Sequence, residues 1–119
     1  MTGPSACIFC RIIAGELPSD QVYADDAVVV FRDVHPKAPV HLLIVPREHL
    51  VSLWELEAQH HELIAHMMRL LPVLARQQGL DEGFRTVINT GRGGGQEVMH
   101  LHIHLLGGVR RRLAEELRD

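Results

Sequence analysis

The sequence predicts an α+β fold: a five-stranded antiparallel sheet with one long helix and a short N-terminal helix packed on one face. Three observations predict it. One long segment repeats its apolar residues at three- and four-residue intervals, the period of an amphipathic helix. The other apolar runs are strand-sized and rich in valine, leucine and isoleucine. The connections between most of them are short enough for antiparallel neighbours to pair directly.

Taken in order, Ile8 to Ala14 is a short apolar stretch closed by Gly15 and Pro18, which suits one or two helical turns. Gln21 to Tyr23 reads as a short strand, Asp25-Asp26 as a turn, and the valine-rich Ala27 to Arg32 as the second strand. His35-Pro36-Lys37-Ala38-Pro39 is a stiff loop, because each proline fixes φ and removes a donor. His41 to Val45 is the third strand, ended by Pro46. The long helix runs from about Glu57 to Gln78, with Leu63, Ile64, Met67, Leu70, Leu71 and Leu74 on one face and Gly79 as its stop. Pro72 falls inside it and should kink it or remove one bond. Phe84 to Asn89 and Val98 to Leu106 are the last two strands, separated by the loop Gly91-Arg92-Gly93-Gly94-Gly95.

The chain has 119 residues, enough for one core, so a single domain is expected over 1–119. The charged segment Arg110–Asp119 reads as a frayed helix within a variable tail, 109–119. Hydrophobic residues make up 46% and charged residues 23%, as in globular and not disordered proteins. A formal net charge of −3 excludes a general nucleic-acid or anionic-membrane binder. No apolar run approaches the roughly 20 residues of a membrane span. Met1 to Ala6 lacks the basic and apolar segments of a signal peptide. The expected location is the cytoplasm. There a disulfide between the only two cysteines, in Cys7-Ile8-Phe9-Cys10, is not expected. Such a pair is half of a metal site or a redox motif.

His100-Leu101-His102-Ile103-His104-Leu105-Leu106 carries the most chemistry. On a strand the three histidines share one face, roughly 7 Å apart at each step of two residues, and the leucines and isoleucine share the other. Three imidazoles gain nothing from burial and each need a partner. They could ligate zinc, or a neutral imidazole could attack phosphorus and form a covalent intermediate. Spacing does not separate these. Asn89, the glycine loop and Gln96 lie just before them, and glycines let backbone N–H groups converge on an anion, which favours phosphorus chemistry. A plain hairpin connection accounts for the glycines equally well.

His100 to Leu106 matches the motif His-φ-His-φ-His-φ-φ, with φ apolar, at every position. With Ile8 to Ile13, Arg32 to Pro39, His41 to Pro46, Asn89, Gly94-Gly95-Gln96 and Leu106-Gly107-Gly108, the sequence resembles the histidine triad (HIT) family, in particular its Hint-like branch of nucleoside phosphoramidases. The resemblance implies hydrolysis at the α-phosphorus of nucleoside 5′-phosphoramidates. His102 is then the nucleophile, its other ring nitrogen donating to a backbone carbonyl. His104 contacts the phosphate, and His41 completes the cluster and takes part in proton transfer. Asp33 holds the ribose hydroxyls. Asn89 and the backbone of Gly95, Gln96 and Val98 hold the phosphate side. Phe9, Ile12, Phe31, Val34 and Leu43 form the base pocket. Glu97 stands where vertebrate members carry a serine, His35 replaces a small polar residue, and the tail after Gly108 is unlike theirs.

Cys7 and Cys10 resemble the Cys-x-x-Cys of several bacterial members, whose other zinc ligands correspond to His49 and His100. This implies one structural zinc per chain, with no metal needed for chemistry. Family members also form homodimers that join two sheets into ten strands through the long helix and an adjoining strand. Two further functions stay open on sequence: a dinucleoside polyphosphate hydrolase, and a nucleotide-binding regulatory module with incidental turnover. No nucleic-acid or membrane partner is expected.

Overall fold

The computed structural model describes residues 6–108, so the tail segment 109–119 lies outside the described residues. Helix α1 (Ile8–Ile13) leads into strands β1 (Gln21–Ala24), β2 (Val28–Arg32) and β3 (Val40–Pro46). Helix α2 (His61–Gln77) follows, then β4 (Arg85–Val87) and β5 (Ile103–Gly107). The sheet order is β1-β2-β3-β5-β4, with every neighbour antiparallel. Strand β5 therefore inserts between β3 and β4, which leaves β1 and β4 as edges.

Alternation along the strands divides the core into two layers. Val28, Val30, Leu42, Ile44, Ile103 and Leu105 face α2, meeting Met67, Leu70, Leu71 and Leu74. Val29, Phe31, Leu43 and Val45 face the other way and meet Cys7 and Phe9. The sequence expectation that both helices share one face is thus corrected. The long helix covers one face, and α1 lies across part of the other, because its buried side chain, Phe9, packs on the odd-numbered residues of β2 and β3.

Helix α2 starts four residues later than its periodicity suggests. Ala58–His60 is wound as a tighter 3-10 turn, in which His60 Nδ1 accepts from Glu57 N at 3.0 Å. Gly79 ends the helix as expected, at φ 76°, with Leu80 N donating back to Ala75 O at 2.9 Å. The final strand is shorter than expected. It begins at Ile103, so His100 and His102 stand on the irregular segment that enters β5 and only His104 lies within it. Likewise β3 ends at Pro46, and His49 sits past its end. Among the described residues, no helix is long and apolar enough to cross a membrane.

Candidate active site and metal centre

Cross-strand pairing gathers the site on the face opposite α2. His41 pairs with Leu106, Leu43 with His104, and Val87 with His104. These side chains line a cavity of about 570 Å³, completed by His102, by α1 through Ile8, Phe9 and Ile12, and by the 89–98 loop through Asn89, Gly95, Glu97 and Val98. The volume falls in the range of small-molecule sites, about 300–1,000 Å³. Phe31, Asp33, Val34 and Leu43 line it as well, so all five expected base-pocket residues reach one cavity. Val34 does so at the rim, since it is 82% exposed.

The hydrogen bonds fix where each imidazole carries its proton. Lys37 N–H donates to His41 Nδ1 at 3.1 Å. The neutral His41 then bears its proton on Nε2 and donates to His104 Nδ1 at 2.9 Å. His104 in turn bears its proton on Nε2, where it is a donor. His102 is arranged the opposite way: its Nδ1–H donates to His100 O at 2.7 Å, so its Nε2 is a bare lone pair. Burial is the first cause that pushes all three below the usual histidine range. His104 falls furthest, to about 4, with His102 and His41 beside it adding to the effect.

Asp33 Oδ1 accepts from His35 N at 2.8 Å, and its Oδ2 lies 3.5 Å from His41 Nε2. Asn89 Nδ2 donates to Gly94 O at 2.7 Å and holds the glycine loop closed. Gln96 is not a cavity residue. Its buried amide accepts from Gly91 N at 2.8 Å and donates to Val51 O at 2.6 Å and Val98 O at 2.9 Å, bracing the loop from behind. Lys37 and Arg85 are among the lining residues that escaped sequence reasoning. The part of Lys37 that matters is a backbone N–H, which leaves no mark in the sequence. Arg85 is placed by its pairing with Leu106, a long-range contact.

His100 does not share the cavity. It is fully buried, its Nε2 donates to Pro46 O at 2.8 Å, and its Nδ1 faces Cys7 Sγ at 3.3 Å and Cys10 Sγ at 3.5 Å. His49 Nδ1 lies 3.2 Å from Cys10 Sγ. These four donor atoms all lie within 4.8 Å of one another, a group able to hold a metal ion. The three histidines of the motif therefore do not converge on one point. One turns to the cysteines and two to the cavity.

The fold and site define a small α+β protein whose cavity presents one bare imidazole nitrogen beside an imidazole donor. A family model described as "Scavenger mRNA decapping enzyme C-term binding" matches residues 6–114. The purine nucleoside phosphoramidase of Escherichia coli K12 is 45% identical over 102 residues, spanning 85% of this chain and 86% of that protein. A 14 kDa zinc-binding protein of Brassica juncea is 47% identical over 103 residues, 85% of this chain and 91% of that protein. The crystal structure of a HIT family hydrolase from Legionella pneumophila superposes with a TM-score of 0.84 at 44% identity, covering 86% of this chain and 92% of that one. The chain belongs to the histidine triad (HIT) family of hydrolases.

Proposed function

We propose that the protein hydrolyses nucleoside 5′-phosphoramidates at the α-phosphorus through a covalent nucleotidyl-histidine on His102. One observation carries this reading. The 2.7 Å bond from His102 Nδ1 to the His100 carbonyl leaves Nε2 unprotonated on a ring that lines the cavity. As Nε2 bonds to phosphorus the P–N bond breaks, and the amine leaves with one proton taken from bulk solvent, which the hydrolysis step returns. Water then cleaves the Nε2–P bond and releases the nucleoside monophosphate. His104 Nε2–H, held in place by His41, donates to a phosphate oxygen as charge develops there. Asp33 accepts from the ribose hydroxyls, the apolar walls take the base, and the loop backbone at Gly95 and Val98 supports the phosphate. The phosphoramidase name of the Escherichia coli relative supports the substrate class.

We further propose that the metal is one structural zinc. A tetrahedral site with Zn–S about 2.3 Å and Zn–N about 2.0–2.1 Å has S···N edges of about 3.6 Å; the S···N distances here are 3.2–3.5 Å. His49 Nε2 is buried with no hydrogen-bond partner among the described residues. Burial raises the Cys10 thiol to about 11, and the neighbouring Cys7 works in the same direction. A bound cation supplies the counter-charge that such a pair needs to ionise. With all four positions filled by protein, zinc here orders the fold and leaves no place for a water. The protein is proposed to act as a homodimer.

Turnover of adenosine 5′-phosphoramidate against diadenosine polyphosphates by the pure protein tests the substrate class. The phosphoramidate should be preferred by orders of magnitude. Preference for the polyphosphate overturns the reading.

A further inference from the structure

We infer that α1 is a metal-held wall of the nucleoside end of the cavity, and that Phe9 couples the two sites: metal and nucleoside tighten one another's binding. The inference rests on the reading of both sites given above. Two of the four donors belong to α1. Cys7 is its N-cap residue, with its sulfur accepting from Cys10 N at 3.4 Å, and Cys10 lies in its first turn. Phe9 sits between them. Its ring meets His102 edge-on at 5.2 Å, Phe31 at 5.4 Å and His100 at 5.9 Å between centroids. One side chain thus touches a metal donor, the nucleophile and the apolar floor, while Ile8 and Ile12 from the same helix line the cavity.

This helix has little else to hold it. Six residues are far too few to be helical unaided. The backbone hydrogen bonds from Arg11, Ala14, Gly15 and Glu16 all end within residues 7–16, and the Arg11–Glu16 ion pair is also local. Among the described residues, the ties from α1 to the rest of the fold are apolar packing and the contacts of its two sulfurs with His49 and His100. Of the groups at the phosphate end, His41 and His104 stand on β3 and β5 and the loop groups on 89–98, while His102 stands just before β5. A metal that fixes α1 should therefore act on nucleoside affinity and spare phosphate affinity. Linkage requires the converse: a nucleoside pressed against the wall tightens the metal by the same factor.

The test measures zinc affinity of the full chain by chelator competition, alone, with saturating adenosine, and with saturating inorganic phosphate. Adenosine should tighten zinc by about ten-fold, within the usual range of such couplings, and phosphate should change it by less than about two-fold. Phe9→Ala keeps all four donors and should bring the adenosine effect below about two-fold. Phe9→Leu, which keeps apolar bulk, gives an intermediate value and serves if the alanine protein does not fold. Adenosine that binds but leaves zinc affinity unchanged overturns the inference. So does an equal effect of phosphate, which would mean that any ligand acts through global folding, or a full effect in the Phe9 variants. If the zinc-loaded protein fails to bind adenosine in a calorimeter, or the chain binds no zinc, the functional reading beneath it falls as well.

Discussion

His102 and His104 are the same residue type two positions apart, and they differ in what holds Nδ1. A carbonyl oxygen makes His102 Nδ1 a donor, and the His41 Nε2–H makes His104 Nδ1 an acceptor. One ring thus offers a lone pair and the other a proton. Replacing His102 by alanine should lower kcat by on the order of a thousand-fold or more, since no neighbour replaces a covalent step. AMP binding by calorimetry should stay measurable, and quenched wild-type reactions should carry one nucleotide on the His102 peptide. A tenth of the activity left in the variant would remove His102 as nucleophile. The resemblance pointed to His41, His102 and His104 as one cluster, and to the bond from His102 to a backbone carbonyl; the tautomers of His41 and His104 were not legible, because they depend on the Lys37 N–H. A second residue acts on stability alone. Burial works to raise the Asp25 carboxyl, but hydrogen bonds from Tyr23, Ala27 N, His66 and Val28 N outweigh it and hold the pKa below the usual carboxylate range. A depressed folded pKa contributes stability that is present above the unfolded value, about 3.9. It is lost as pH falls through the folded one. Asp25→Asn should thus cost about 1–3 kcal/mol at pH 7. The gap to wild type in urea unfolding should narrow as the pH drops below about 5.

At the scale of elements, α2 was the most legible and contains the clearest local conflict. Its period survives in the structure because Met67, Leu70, Leu71 and Leu74 all face the sheet. Pro72 lies among them and cannot donate to Met68 O, four residues back. Nothing in the packing requires a proline there, and interior proline costs about 3 kcal/mol relative to alanine. Pro72→Ala should raise unfolding free energy by about 1–3 kcal/mol, with activity unchanged; a loss of stability would mean the ring itself fills the core. The entry to β5 was less legible. Alternating His-Leu-His-Ile-His reads as continuous strand, yet pairing starts at Ile103, since His100 is turned into the cysteine cluster and His102 bonds the backbone behind it. A period of two reports which side a residue faces, and it does not report whether a partner strand is present. Helix α1 depends most on that cluster. Cys10→Ala should take bound zinc from one per chain to none by elemental analysis and lower the melting temperature by several degrees. An unchanged melting temperature would make the metal incidental to the fold.

For the whole molecule, the open question is what covers the sheet edges and the residual apolar surface. The family resemblance implies a dimer formed through the long helix and an adjoining strand. In the fold, Met67, Leu70, Leu71 and Leu74 are used inside the protomer, and of the helix's large apolar side chains Met68 and Val73 are the ones left exposed, at 42% and 45%. Two strand edges remain. Edge strand β1 breaks register with β2 between Gln21 and Tyr23, and such an irregularity discourages further pairing. Edge strand β4 is a regular ladder with β5 over Arg85, Thr86 and Val87, and Phe84 beside it is 39% exposed. Among the described residues no strand pairs with the outer side of β4; a regular edge next to an exposed aromatic is a template for another strand, and a second copy of the chain offers one by two-fold symmetry. The expected species is therefore a homodimer joined at β4, of twice the 13.4 kDa chain mass by light scattering at micromolar concentration. Phe84→Glu should shift it towards monomer, whereas Gln21→Glu on the β1 edge should not. A monomeric wild type, or dissociation caused by the β1 change, would place the contact elsewhere or nowhere. Because β4 also supplies Arg85 and Val87 to the cavity, pairing at this edge would stiffen one wall of the active site, and the Phe84→Glu monomer should lose nucleotide affinity along with its partner.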